Sequence, residues 1–240
     1  WQETAVDIAG RTRVSGSAPD IGCFEADQFV AALEVVASVV RGVAPLTVVF
    51  TPRVYGLPGT QTIEWDLEGA DSWNVESAGA VTKTFAAGRW TVRARVKGSD
   101  GIQSAPIEIV SSPKTLYVDP ACGTPEFPYG DEDHAATTVA EAYDAAVDGC
   151  EIVLAPTTHT LAGTLFVQKG VMLRGATDDA ADTVITLPSK SPKRVLMMQH
   201  PQAFMSALTV TGGACDGNFS DRNNGGAVYV NPRGGSISNC

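Results

Sequence analysis

Only one stretch of this chain has the spacing of an amphipathic helix. Val139, Ala142, Tyr143, Ala146 and Val147 fall at i, i+3, i+4, i+7 and i+8, which lays one apolar stripe along a 3.6-residue period. Thr138 and Glu141 sit where a capping box needs them, and Gly149 supplies the stop. From residue 151 onward, short strand-like segments follow one another between Gly, Pro, Asn and Asp: 152–154, 164–168, 171–174, 183–187, 194–199, 207–211, 227–230 and 236–240. With no second helix to carry crossovers, βαβ folds are excluded. The spacing predicts an all-β fold with one helix, which needs an apolar surface to cover. Glu151-Ile152-Val153-Leu154-Ala155-Pro156 provides one at once.

Before the helix, residues 33–110 have their own texture. Leu46, Val48 and Phe50 alternate with polar or outward positions, as do Ile63 and Trp65, then Phe85, Trp90, Val92, Ala94 and Val96, then Ile107 and Ile109. Turn signals fall at Leu57-Pro58-Gly59, Glu68-Gly69, Ala87-Gly88 and Ser99-Asp100-Gly101. Half-buried strands at this spacing predict a β-sandwich. Trp65 is assigned to its core. Asp66, Glu68 and Asp71 have two readings: a Ca2+ site, because hard cations want several oxygen ligands, or a turn that Asp66 organises by accepting backbone N–H bonds. The turn reading is preferred, and no other cofactor is expected.

This segment resembles the PKD-type immunoglobulin-like domain. The residues that carry the resemblance are Ala44-Pro45-Leu46-Thr47-Val48-Val49-Phe50, Trp65-Asp66-Leu67-Glu68-Gly69 and Phe85-Ala86-Ala87-Gly88-Arg89-Trp90-Thr91-Val92. The family usually has Trp-Asp-Phe-Gly-Asp-Gly where this chain has Trp65-Asp66-Leu67-Glu68-Gly69-Ala70.

The irregular repetition beyond residue 151 suits a solenoid, in which each coil buries its inward residues on the next. Leu173, Leu208 and Cys240 are expected to be equivalent on successive coils, with Cys240 in the core. This region resembles the N-terminal end of right-handed parallel β-helix proteins of the pectate-lyase-like superfamily, through Leu116-Tyr117-Val118-Asp119, the helix, Gly170-Val171-Met172-Leu173-Arg174-Gly175, Leu208-Thr209-Val210-Thr211-Gly212-Gly213 and Gly225-Gly226-Ala227-Val228-Tyr229-Val230. In that family a helix caps the open end of the coil. Cys122 precedes the helix and Cys150 follows it, so a disulfide between them would staple the cap to the first coil. Near the other end, Gly10-Arg11-Thr12-Arg13-Val14-Ser15-Gly16 and Asp20-Ile21-Gly22-Cys23-Phe24-Glu25 resemble the closing segment of such a β-helix, with Cys23 in place of the usual small residue.

The expected organisation is therefore 1–32 as the C-terminal end segment of a preceding β-helix, 33–112 as a PKD-like β-sandwich, and 113–240 as the helix-capped first coils of a truncated right-handed parallel β-helix. What the resemblance implies is a structural or adhesive segment of a large secreted or cell-surface bacterial protein. Its partners would be other copies or modules of that protein, and extracellular polysaccharide. The alternative is part of a polysaccharide lyase or glycoside hydrolase. Such enzymes place carboxylates, Arg or Lys on outward positions of neighbouring coils. Lys169, Arg174, Asp178, Asp179, Asp182, Lys190, Lys193, Arg194, Asp216, Asp221 and Arg222 are available, without a defined spacing, so no catalytic residue is assigned.

The net charge of −10 on 240 residues, with 17 scattered basic residues, argues against nucleic acid or an anionic membrane as partner. No apolar run approaches the roughly 20 residues of a membrane helix, so no membrane insertion is expected. The five cysteines contain no CxxC pair, which argues against a zinc site.

Overall fold

The computed structural model describes residues 31–99, 101–188, 194–213 and 226–240. The expectations for residues 1–30, for Lys190 and Lys193 and for Asp216, Asp221 and Arg222 lie outside them. Among the described residues strands dominate, and the one α-helix is α1 (Val139–Ala145). The all-β class therefore holds.

The strands before the helix are β1 (Ala32–Ala37), β2 (Arg41–Val43), β3 (Leu46–Tyr55), β4 (Ile63–Asp66), β5 (Val75–Ser77), β6 (Val81–Phe85), β7 (Gly88–Val96), β8 (Ile107–Ser112) and β9 (Thr115–Val118). They form a sheet of order β1-β3-β6 and another of order β2-β8-β7-β4-β5, while β9 belongs to a sheet described below. The described chain divides into two compact units, one of residues 31–38, 49–81 and 91–107, the other of 39–48, 82–90 and 108–240.

In the first unit β1 runs antiparallel to β3, with Ala37 opposite Phe50, and β4 lies antiparallel between β5 and β7. Alternation puts Leu33, Phe50, Ile63, Trp65, Val92, Ala94 and Val96 inward, where all are buried. The Phe50 and Trp65 ring centroids lie 6.2 Å apart, within the range of favourable aromatic pairs. Trp65 is a core residue, as its sequence setting indicates.

The second unit contains a β2–β8 parallel pair and a longer repetitive region. Its further strands are β10 (Glu151–Leu154), β11 (Thr158–Thr160), β12 (Leu165–Val167), β13 (Met172–Gly175), β14 (Val184–Thr186), β15 (Leu196–Met198), β16 (Phe204–Ser206), β17 (Thr209–Thr211), β18 (Val228–Val230) and β19 (Ser236–Ser238). They sort into sheets of order β19-β16-β13-β10-β9, β11-β14-β17 and β12-β15-β18. From β10 on, the chain visits these three sheets in strict rotation, and every pairing is parallel. Each circuit stacks side chains on the one before. Leu116, Ile152, Leu173, Met205 and Ile237 share one register, and the first four are buried. Each such burial is worth about 1.5–3 kcal/mol.

That ladder corrects the sequence-derived one. Leu173 stacks on Met205 and Ile237, not on Leu208 and Cys240, and Cys240 is exposed. The displacement arises because Phe204-Met205-Ser206 is itself a strand, with no apolar alternation long enough to announce it.

The helix closes the first circuit by packing on β9 and β10. Thr138 and Glu141 form the capping box in full, and Val139, Ala142, Tyr143, Ala146 and Val147 are all buried. The helix is then tied down by polar bonds. Tyr143 Oη accepts from the Gln168 and Lys169 backbone N–H groups at 2.7 and 3.1 Å. The Lys169 ammonium donates to the carbonyls of Tyr143, Asp144 and Ala146 at 2.5, 3.3 and 2.8 Å. These carbonyls include ones a helix end leaves without an intrahelical partner.

Candidate functional site

Asp66, Glu68 and Asp71 occupy the β4–β5 connection, but Asp66 is turned inward and fully buried. Its Oδ1 accepts from the Gly69 and Ala70 N–H groups and its Oδ2 from Asp71 N–H. Arg93, on β7 opposite Asp66, donates to Asp66 Oδ2 at 2.8 Å and to Asp71 Oδ1 at 2.6 Å. Burial pushes the Asp66 carboxyl up, but the Arg93 guanidinium and the backbone donors of the turn outweigh it and hold it below its ordinary value. These bonds are the ones the turn reading of Asp66 calls for, and the Arg93 guanidinium bridges the Asp66 and Asp71 carboxylates. Among the described residues no three His, Cys, Asp or Glu side chains gather as a metal ion would need. The same face carries Trp73, whose ring lies under the Arg95 guanidinium at 4.3 Å, and Arg95 is in turn paired with Glu64 at 2.7 Å.

Cys122 and Cys150, expected to form a bridge, are both free thiols in this structure. Cys122 Sγ donates to the Asp133 carbonyl at 3.4 Å, and Cys150 Sγ to the Pro113 carbonyl at 3.3 Å. The Cys150 thiol is buried, which raises its pKa. The staple that the disulfide would have supplied is made instead by Tyr143 and Lys169.

The outward charges scatter into structural roles. Lys169 holds the helix end. Asp179 and Asp182 organise the β13–β14 turn by accepting from Ala181 N–H and from the Thr177 hydroxyl. Asp178 lies in the same turn, and its carbonyl accepts from the Asn239 side chain. Arg194 lies over the Tyr229 ring at 4.8 Å. Arg174 is the exception in position: it points outward from β13, level with Tyr117 on β9 and Val153 on β10, and pairs with Glu151 at 2.5 Å.

Near it, on the β19-β16-β13-β10-β9 sheet, lies a cleft of about 230 Å3. Strand alternation directs Leu116 and Val118 inward, so Tyr117 faces out. The segment after β9 folds back across this strand: Tyr117 N–H donates to the Tyr129 carbonyl, and Ala136 N–H donates to the Tyr117 carbonyl. That return brings Glu132 to the rim, with Asp119 at the strand end and Val153, Ala155 and Ala176 as the apolar floor. Asp119 Oδ1 also accepts from Ala121 N–H at 2.8 Å. A phenol and an apolar floor with carboxylate acceptors at the edge suit a hydroxyl-rich ring, which has an apolar face and donors around its perimeter. The outward direction of Tyr117 was readable from the alternation of its neighbours. The arrival of Glu132 was not, because nothing local specifies how a 17-residue return folds.

The histidines differ from one another. His134 pairs with Asp131 at 2.8 Å, and this bond and charge raise its pKa. His200 Nδ1 accepts from Gln202 N–H. His159 is 2% exposed, the one of the three whose ring is inside.

The described residues define an all-β protein with parallel sheets visited in rotation. Comparison with protein-family models, with curated proteins and with solved structures finds no match.

Proposed function

We propose that this chain is a structural or adhesive segment of a large secreted or cell-surface protein, pairing a PKD-like immunoglobulin-type sandwich with the helix-capped first coils of a right-handed parallel β-helix. The observation that carries the reading is the rotation of β10–β19 through three parallel sheets with one apolar ladder. Such stacking makes each circuit a platform for the next, which is the property a stalk or fibre needs. The location outside the cell rests on the resemblance of the two regions to extracellular families. The Tyr117 cleft would contact polysaccharide, and other copies or modules of the same protein would be the protein partners.

A second reading comes from the same cleft. Two carboxylates, Asp119 and Glu132, line one cavity, and glycoside hydrolysis needs two carboxyl groups across the scissile bond. One set of experiments separates the readings. The purified chain is tested for assembly by light scattering and electron microscopy, for binding to a panel of neutral and uronate polysaccharides, and for release of reducing ends from them. Assembly or binding without turnover supports the structural reading, and neither assembly nor binding removes its support. Turnover abolished by Asp119→Asn or Glu132→Gln in a folded protein replaces it with the enzymatic one.

A further inference from the structure

The Tyr117 cleft is built from a stretch of one-sided charge. Residues 115–168 contain nine Asp and Glu and no Lys or Arg. Several of these acids are already engaged. Asp131 holds His134, Glu141 closes the capping box, Asp148 accepts from Gly170 N–H and Glu151 pairs with Arg174. Asp119 and Glu132, the two that line the cleft, have no cationic partner among the described residues. Asp119 commits only Oδ1, to Ala121 N–H, and Glu132 makes no hydrogen bond or ion pair among those residues.

No Lys or Arg among the described residues lines the cleft. Arg174 is level with Tyr117 and Val153 across the sheet, but it is committed to Glu151 and to the Gly175 carbonyl. The rest of the lining includes the Tyr117 phenol and the small apolar side chains of Val153, Ala155 and Ala176. An uncharged ligand seated here would take water from the carboxylates and return no charge. A ligand carrying an ammonium gives each carboxylate a charge-assisted hydrogen bond in its place.

We propose that the Tyr117 cleft selects an amino sugar, a pyranose unit with a free ammonium that donates to the Asp119 and Glu132 carboxylates while its ring lies against Tyr117 and the apolar floor. The inference rests on the reading of this cleft as a polysaccharide contact and names the class of polysaccharide, a cationic one. The volume of about 230 Å3 is below the roughly 300–1,000 Å3 of a drug-sized site, so one ring of the polymer enters. A uronate would bring a third negative charge to the cleft. A Ca2+ ion takes about six to eight oxygen ligands and would find two carboxylates.

Backbone 1H–15N spectra of the 240-residue chain, recorded at about pH 6 where an amine is protonated, give the test. The probes are the methyl glycosides of glucosamine, glucose and glucuronate, and Nα-acetyl-lysine methylamide, a cation without a ring. Methyl glucosaminide is expected to shift the Tyr117, Val118 and Ala155 amides saturably, with a Kd on the order of millimolar. It should bind roughly 3- to 20-fold more tightly than methyl glucoside and more tightly than the lysine derivative. Glu132→Gln removes a side chain with no other bond, and Asp119→Asn keeps an acceptor for Ala121 N–H; each should cut the preference over glucoside by roughly 2- to 5-fold. Equal binding of glucoside and glucosaminide, or tighter binding of the glucuronide, overturns the amino-sugar assignment and leaves the polysaccharide reading standing. Equal binding of the lysine derivative, or a preference that survives both variants intact, overturns the assignment as well. No response to any sugar at roughly 100 mM, far above such a Kd, removes the assignment and the polysaccharide reading together.

Discussion

Replacing Lys169 by Met tests whether this side chain, rather than a disulfide, holds the capping helix. Met keeps an unbranched apolar stem beside the Tyr143 ring, over which the ammonium now sits at 4.6 Å. What it removes is the charge donated to three carbonyls at 2.5, 2.8 and 3.3 Å. Hydrogen bonds to a charged group contribute about 1.5–3 kcal/mol each, and a cation at a helix C-terminus adds about 0.3–1 kcal/mol. The ammonium is only partly buried and burial lowers its pKa, so desolvation and solvent screening offset much of that sum. A net loss of about 2–3 kcal/mol remains, or roughly 30- to 150-fold in a local opening equilibrium. Native-state hydrogen exchange reads that equilibrium directly. In Lys169→Met, protection of Ala146 N–H, which bonds the Ala142 carbonyl at 2.9 Å, should fall by that factor. Protection of Val184 N–H, bonded to the Thr157 carbonyl, should not change. A change of less than about 3-fold at Ala146 would refute the assignment.

Four further outcomes are expected. Asp66→Ala removes the acceptor of three turn N–H groups and of Arg93, and should destabilise the first unit by about 2–3 kcal/mol in urea titrations. The Asp66 pKa is depressed below its ordinary 3.8, so its contribution is complete above about pH 4 and is lost as pH falls through the folded value; an acid titration of Asp66→Ala should lack that loss. His159 has a lowered pKa and His134 a raised one. The His159 contribution is therefore present above its ordinary 6.5 and lost as pH falls through its folded value, whereas that of His134 is present below 6.5 and lost as pH rises through its own; NMR titration should find the two midpoints on opposite sides of 6.5. In Gly175→Ala the new Cβ meets the Ala207 carbonyl oxygen and Thr183, and overpacking of about 1–3 kcal/mol should appear as a lower thermal midpoint.

The sequence was most legible where one local rule decided the outcome. The capping box, the apolar stripe of the helix, the buried Trp65 and the turn built by Asp66 each follow from spacing within a few residues. Most strands after residue 151 were also visible as apolar segments between turn formers. Two escaped. Thr158-His159-Thr160 is a strand whose only inward residue is a histidine, and Phe204-Met205-Ser206 has no punctuation of its own; missing the latter displaced the stacking register to Leu208 and Cys240. The Tyr117 cleft and the Lys169 anchor were hidden for a different reason. Each joins groups far apart in sequence, Asp119 with Glu132 and Ala176, or Lys169 with Tyr143, and they meet only through the loop return after β9, the docking of the helix and the stacking of circuits. The cysteine pairing was inferred from the order of elements along the chain, and the two thiols instead find backbone carbonyls close at hand.

The central feature of the fold is the rotation of the chain through three parallel sheets. Cross-strand nuclear Overhauser contacts between β10 and β13 test it most directly. Parallel register places Ile152 beside Leu173, with Met172 N–H on the Cys150 carbonyl and Ala176 N–H on the Leu154 carbonyl. Interstrand amide-to-α-proton contacts following that register, repeated from Leu173 to Met205 and from Met205 to Ile237, are the result expected. Close α-proton pairs between these strands, the mark of antiparallel pairing, or contacts linking Leu173 to Leu208 in their place, would contradict it.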